Sequence, residues 1–478
     1  MTGEQILSLG PALDAFLGEF DDCFQTGETR GHLRDYVKGQ LSDLPRKSVE
    51  PMAELAEVPP RTLQEFLSLS DWDHALARDR VQRIVARDHA DPRAIGIVDE
   101  SGHPKKGDKT ACVQRQYCGN TGKVDNCVMT VHLAYAAPCG FRAMLDSDLY
   151  LPECWDGKGA AGRKRREEAR VPADVHYRPK YEIALGQLRR ARANGVAFEW
   201  VTADGWYGEK PAFVAGLEAM GQPFVLEVPR NLRGWSHRPA TPDEPRSKAE
   251  DLCRHSPAFT GQGWKRYHVK DTTKGPVVWE AKAAPFWLER DGRAVGPYRL
   301  MVARDVLDPG EVKYFLSGTA HVPARVMLHV GLSRWPVERC LEDEKTELGL
   351  SHFECRKYTA VLRHLLVTQV SHLFLARECQ RLRGEKRRGV REPGGGGGGD
   401  GLPGPHRRRG AAGRMAPRRG RGPAEADRPG RGQDPAHPEE QRRRPEEPHQ
   451  GTTQETPGHG HPRRAADFLY PAVTAVAL

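Results

Sequence analysis

The sequence predicts an α/β protein: a mixed sheet flanked by helices, interrupted by a β-rich insertion, preceded by a helical region and followed by a tail without core residues. Three observations predict it. Apolar residues recur at helical spacing over positions 8–88, short apolar runs alternate with amphipathic stretches from about residue 90, and beyond residue 385 large apolar residues almost vanish. The 478 residues are enough for two or three domains at roughly 100–200 residues each.

The helical region, 1–88, comes first. Leu33, Tyr36, Val37, Leu41 and Leu44 share a helical face, as do Leu63, Phe66 and Leu67, and then Val81, Ile84 and Val85. Pro59 and Pro60 mark a turn between two of these helices. The pair reads either as a helix-turn-helix, with Arg61, Thr62, Gln64 and Glu65 on the exposed face of a DNA-recognition helix, or as part of an ordinary bundle. AIGIVDES, 94–101, is a short apolar run ending in acids, the pattern of a buried strand with an exposed C-terminal end. DNCVMTVHLAYAAPCGFRAML gives a hairpin turning at Ala-Pro-Cys-Gly. PKYEIALGQLRRARANG gives an amphipathic helix, VAFEWVTADGWYG a strand ending at Asp204, KPAFVAGLEAM a helix and QPFVLEVP a last strand. Strand, hairpin, helix, strand, helix, strand is the order of an RNase H-like core, here 89–228 and 323–385.

Residues 229–322 interrupt that core. WKRYHVKDT, VVWEAKAAPFWLERDG, YRLMVARDV and VKYFLSGTA alternate apolar and polar residues, as half-buried antiparallel strands do. Helix resumes in ARVMLHVGLSRWPVERCLEDEKTELGL, with Pro336 expected near a helix start, where its missing N–H costs little. Positions 358–382 form a strongly apolar helix. The stretch 386–478 is predicted to be a disordered Gly/Pro/Arg-rich tail. Residues 391–470 hold 17 Gly, 12 Pro and 15 Arg, too little apolar surface to offset the entropy of ordering. A frameshift in a GC-rich gene is the favoured reading, because such codons yield Gly, Pro, Arg and Ala in any frame; a mildly basic DNA-binding tail is the other.

Lys and Arg number 73 against 64 Asp and Glu, a net charge of +9, which favours an anionic partner without identifying it. Ten cysteines without C-x-x-C spacing read as reduced thiols rather than a zinc or redox motif. The start lacks a leader pattern and no run of 18 apolar residues occurs, so a soluble cytoplasmic protein without membrane contact is expected. No P-loop, nicotinamide fingerprint or H-E-x-x-H is present, which leaves nucleotide hydrolysis without support.

Three acids stand out by position. Asp99 and Asp204 end apolar strands and Glu338 lies on a later helix, so distant carboxylates can converge at one sheet edge. Oxygen donors of this kind suit Mg²⁺. Two such ions, about 3.5–4 Å apart, would activate a water or 3′-hydroxyl and stabilise the leaving oxygen of an in-line phosphoryl displacement, with Asp99 as the bridging carboxylate. Arg334, Glu338 and Lys345 lie on nearly one helical face. Cations flanking a carboxylate are what a phosphodiester site needs. A salt-bridged surface helix is the plainer alternative, and Glu342, one turn on, competes with Glu338.

IVDES with HPKKG and RQYCGNTGKVDNC, then VTADGWYG, then RWPVERCLEDEKTELGLSHFE, taken together, resemble the DDE transposases of bacterial insertion sequences, which are DDE superfamily endonucleases, and among them the group named insertion sequence seven-oh-one. The resemblance covers roughly residues 15–385. It implies that Asp99, Asp204 and Glu338 are the catalytic and metal-binding triad, holding two Mg²⁺ with Mn²⁺ able to substitute. It also implies cleavage of element ends and strand transfer to target DNA, by a homodimer in the synaptic complex, in the cytoplasm and associated with the nucleoid. Arg334, Glu338 and Lys345 match the tyrosine-arginine-glutamate-lysine signature of related enzymes, whereas Gly331 stands at its tyrosine position.

Lys105, Lys106 and His103 are expected in a loop at the catalytic edge, either on DNA phosphates or as solvated loop charges, with Arg115 and Lys123 as weaker phosphate candidates. Trp264, Trp279 and Trp287 read as packing residues of the insertion rather than base-stacking ones, and Asp146 and Asp148 as turn residues. Two rival functions stay open: a non-catalytic DNA-binding remnant of such an enzyme, and an RNase H-like nuclease without strand transfer.

Overall fold

The computed structural model describes residues 2–389 apart from 158, 242, 273 and 274; from residue 390 on, the tail and its frameshift reading lie outside the described residues. The chain opens with helices α1 (Gly3–Leu7), α2 (Leu9–Gly18), α3 (Gly27–Leu41), α4 (Val49–Leu55), α5 (Pro60–Ser68) and α6 (His74–Asp88). Their buried faces are those the spacing marks: α5 buries Leu63, Phe66 and Leu67, and α6 buries Val81, Ile84 and Val85.

Next come β1 (Ile95–Pro104), β2 (Gln114–Cys118), β3 (Lys123–Ala136), β4 (Arg142–Leu149), α7 (Gly159–Glu168), α8 (Lys180–Ala193) and β5 (Trp200–Thr202). They form a mixed sheet. β1 pairs antiparallel with β3 along its whole length, and parallel with β5 only over Ile95–Ile97; β3 carries β2 at its start and β4 at its end. Both faces of β1 are covered, as its unbroken apolar run requires. Val98 packs into a core shared with the N-terminal helices and α8, while Ile97 packs into a second core with Trp155 and Met144.

The rest comprises α9 (Gly205–Gly208), α10 (Pro211–Ala219), β6 (Val225–Val228), β7 (Arg233–Gly234), β8 (Ser247–Lys248), α11 (Ala249–His255), α12 (Pro257–Thr260), β9 (Lys265–Thr272), β10 (Gly275–Arg290), β11 (Arg293–Asp305), β12 (Val312–Ser317), α13 (Ala324–Gly331), α14 (Trp335–Thr346) and α15 (Tyr358–Gly389). The four expected strands of the insertion are β9 to β12, in a second, antiparallel sheet of order β6-β12-β11-β10-β9. The helices α11 and α12 between them and the core were not foreseen. Pro336 falls in the first turn of α14.

Four expectations need correction. β6 does not extend the first sheet; β5 is three residues long and offers it a single bridge, Val201 to Phe224, whereas β12 offers a ladder of four pairs. β1 does not stop near Asp99, because β3 is long enough to pair with it as far as Pro104. His103 is therefore a strand residue rather than a loop residue. Asp146 and Asp148 are also in a strand, β4, not in a turn.

The long helix α15 ties the molecule together. Tyr36 hydrogen-bonds His364 at 2.9 Å, and Gln40 donates to Thr368 at 2.8 Å. The buried Arg363 donates to the carbonyls of Ser70 (2.9 Å) and Trp72 (3.0 Å) while lying over the Trp72 ring. All ten cysteines are free thiols, and among the described residues no helix is long and apolar enough to cross a membrane.

Candidate active site

The register of the first sheet sets the two aspartates side by side. Ile97 is paired with Thr202, the last pair of the parallel ladder, and Asp99, further along β1, and Asp204, just past the end of β5, each lie two residues beyond it. At this point β5 leaves the sheet and Asp204 caps α9, its Oδ1 accepting from the backbone N–H groups of Trp206 (3.0 Å) and Tyr207 (3.2 Å). Such a turn is possible because residue 208 is glycine: a Cβ there would lie 1.9 Å from the Glu227 carbonyl oxygen of β6. Asp99 Oδ1 accepts from the Glu100 N–H at 2.8 Å.

Helix α14 packs across β1, β3 and β4, with Glu338 in its first turn, exposed. Arg334 stands at the N-cap position of this helix and reaches back over the sheet, 3.4 Å from Asp99 Oδ2 and 3.4 Å from Glu227 Oε2. Burial opposes its charge, but the carboxylates of Asp99, Asp204, Glu227 and Glu338 outweigh that and raise its pKa. Burial also pushes the Asp99 carboxyl up to about 6; Arg334 and the Glu100 N–H oppose the rise, and the charges of Asp204 and Glu338 add to it. The Asp99 carboxyl therefore senses the charges of both other predicted acids. Glu342 pairs instead with Arg339 at 3.0 Å.

Lys345 is half-buried and donates to Asn120 Oδ1 at 2.8 Å, while Asn120 donates to the Gly102 carbonyl at 2.6 Å. The tip of the β2–β3 hairpin thus clamps β1 to α14 and aims the lysine. Asn120 was missed in the sequence, and so were Glu227 and the Lys180–Glu100 pair at 2.6 Å. Glu227 carried a signal, an acid inside the apolar strand VLEV. The missing tyrosine of the signature has a steric reason: a side chain begun at Gly331 would meet the Phe315 ring at 2.5 Å.

The other phosphate candidates are dispersed. Lys105 donates to the carbonyls of Ser351 (3.1 Å) and Phe353 (2.6 Å), its ammonium lying 3.3 Å from the Phe353 ring centre, and burial lowers its pKa to about 8. His103 is fully buried between Ser351 and Thr130. These two therefore brace the strand. Lys106, Arg115 and Lys123 are exposed. Arg61 and Gln64 project from α5, in the helical region, with Arg61 paired to Glu65 at 2.7 Å. In the insertion Trp279 is buried, the Trp264 ring lies under Arg304, and Trp287 exchanges backbone hydrogen bonds with Trp235.

The donor chemistry fits a hard divalent cation, for which Asp99, Asp204 and Glu338 supply carboxylate oxygens around unmatched negative charge. They are not drawn into a coordination group: among the described residues, no three His, Cys, Asp or Glu side chains lie close enough to hold a metal ion. Arg334 provides the countercharge instead.

A family model described as DDE superfamily endonuclease matches residues 19–285, stopping before Glu338. A curated relative, the probable transposase for insertion sequence element IS701 of Microchaete diplosiphon, is 32% identical over 195 residues, 40% of this chain and 47% of that protein. The chain's match thus spans about half of the relative's length. The cryo-EM structure of a piggyBac transposase synaptic complex with hairpin DNA covers 80% of this chain and 74% of its own at 12% identity, with a TM-score of 0.39, too loose a likeness to carry an argument.

Proposed function

The chain belongs to the DDE superfamily endonucleases, and we propose that it is a DNA transposase that cleaves insertion-sequence ends and joins them to target DNA. The observation that carries this reading is the half-buried Asp99, whose strand pairs with β5 to within two residues of Asp204, together with Arg334, on whose charge Asp99, Asp204 and Glu338 all act. On this reading the first sheet is the RNase H-like catalytic core, and β7 to β12 are the insertion between the second and third acids.

The Asp99 and Asp204 carboxylates are each held by backbone N–H groups, so they meet an incoming phosphodiester with little side-chain entropy left to lose. Asp99, Asp204 and Glu338 would hold Mg²⁺, two ions by the carboxylate count, with Mn²⁺ able to replace them. When bound, these ions would activate the attacking oxygen and stabilise the leaving one. Arg334 turns from Asp99 to a phosphate oxygen, for which its planar fork is suited. Lys345, aimed by Asn120, neutralises a neighbouring phosphate. Residues 1–88, with Arg61 and Gln64 outward, and Lys106 are assigned to DNA further from the scissile bond. Two element ends call for two such sites, hence a homodimer in the synaptic complex, working at the nucleoid.

The test is cleavage of a duplex carrying the element's ends, with Mg²⁺ or Mn²⁺, by the full chain and by Asp99→Ala. A loss of at least about 10³-fold is expected on removal of a metal-holding carboxylate, and equal cleavage by both proteins sinks the assignment. Products joined to target DNA separate a transposase from a nuclease that only cuts.

A further inference from the structure

Exposed cations differ in whether a carboxylate already holds them. Each of the eight arginines in residues 1–88 is in a salt bridge, Arg34 with Asp14 and Arg87 with Glu19 among them. Helix α7 is the opposite. Its Arg165 and Arg166 turn inward: Arg165 donates to the Val113 carbonyl at 2.9 Å and lies 3.9 Å from the Trp155 ring centre, and Arg166 donates to the carbonyls of Pro172 (2.9 Å) and Val175 (2.7 Å). Arg163 and Lys164 face solvent, as does Arg170 just past the helix, and none of the three has an ion-pair partner among the described residues. Stability does not account for this, because Arg163 and Glu167 have the i,i+4 spacing of an ion pair and still do not form one.

Two neighbouring segments widen the face. The loop between β1 and β2 is tied to α7 by Lys109, 3.2 Å from Glu168. The stretch ahead of α15 is tied to both: the Ala111 N–H donates to the Arg356 carbonyl at 3.0 Å, and the Tyr358 N–H to the Ala169 carbonyl at 2.9 Å. These segments bring Lys106 and Arg356, exposed and likewise without an ion pair among the described residues. Of their acids, Glu168 is taken by Lys109 and Glu354 by Arg46. Five uncommitted cations thus stand with only two uncommitted exposed acids, Asp108 and Glu167. Lys106 lies seven residues beyond Asp99 on the same run of chain, at most about 23 Å even when extended. That is less than one turn of a DNA duplex, about 34 Å.

We propose that α7, the β1–β2 loop and the stretch ahead of α15 form a surface for the phosphate backbone of duplex DNA, bound without regard to base sequence. This rests on the DNA-directed reading above. A cation with no acid partner has no ion pair to give up when it meets a phosphate, and each phosphate it neutralises releases condensed counterions. The arginines of the N-terminal helices must first leave their carboxylates.

The test is the salt dependence of binding to a random-sequence duplex of about 30 base pairs, without divalent cations, by three full-length proteins. They are wild type, Arg163→Gln/Lys164→Gln/Arg170→Gln, and a control that loses the same charge from exposed, unpaired positions of the insertion, Arg238→Gln/Lys265→Gln/Arg293→Gln. Each phosphate contact adds about 0.9 to the slope of log affinity against log salt. The α7 variant is expected to lose about 2 to 3 from that slope, so that between about 50 and 200 mM salt its affinity falls about 40-fold less than that of wild type. The control keeps the wild-type slope to within about 0.5. The slope does not depend on the fraction of active protein, so a partly misfolded variant still reports it. An α7 variant within about 0.5 of the wild-type slope, or an equal loss in variant and control, overturns the proposal and leaves the acid site standing. Absence of duplex binding by wild type overturns both this proposal and the DNA-directed reading.

Discussion

Two groups of acids, one on β4 of the first sheet and one gathered from β1, the cap of α9, β6 and α14, differ in how their charge is met. On β4, the fully buried Asp146 accepts from Arg190 at 2.9 Å and from Gln82 at 3.0 Å, and Arg190 also pairs with Asp148. At the other site Asp99, Asp204, Glu227 and Glu338 all act on one guanidinium, Arg334, through contacts of 3.4 Å to two of them, with Lys313 helping only Glu227. Matched charge at short distance makes a strut. Unmatched charge at long distance makes a place where a cation or a phosphate changes the balance. The ratio of carboxylates to committed cations, more than burial, separates the two.

The largest expected effect breaks the strut. Asp146→Ala leaves Arg190 with Asp148 alone and takes a buried acceptor from Gln82, and should cost about 3 kcal/mol or more, read by denaturant unfolding; a loss below about 1 kcal/mol would erase the contrast between the sites. Asp99→Asn should act with the opposite sign. The Asp99 carboxyl, about 6 in the folded chain against 3.8 ordinarily, holds its proton more tightly folded than unfolded. Its contribution to stability is thus complete below about pH 4 and lost as pH rises through 6, a difference of roughly 3 kcal/mol. Cation-free wild type should fall by about that amount relative to Asp99→Asn between pH 4 and 7, and parallel stability curves would refute it. Smallest is Arg334→Gln, whose long, shared contacts predict a stability change within about 1 kcal/mol. Because Arg334 opposes protonation of Asp99, the acid limb of Mn²⁺ binding should move to higher pH in this variant; a limb that stays in place would mean that the guanidinium does not tune the acid.

The elements that sequence reading reached are those whose burial repeats with a clear period. β9 and the first half of β10 alternate, α5 and α6 bury every third or fourth residue, and β1 and β5 are apolar runs that lead to Asp99 and Asp204. What it missed depends on partners far away in the chain. Asp146 looks like a turn residue until Arg190 is beside it, and Lys105 looks like a phosphate ligand until the carbonyls of Ser351 and Phe353 surround its ammonium. β2, QRQYC, carries too few apolar residues to announce a strand and is held by its ladder with β3. Gly331 is a departure from a signature that only the Phe315 ring explains.

The four residues of β6 follow the turn that holds Asp204, yet they hydrogen-bond into the second sheet through β12. Glu227 lies within them, opposite Phe315, and carries one end of the Arg334 bridge. The antiparallel sheet therefore touches the acids at two points: the Glu227 carboxylate carries one end of the Arg334 bridge, and its backbone N–H donates to the carbonyl of Ala203, the residue before Asp204, at 3.1 Å.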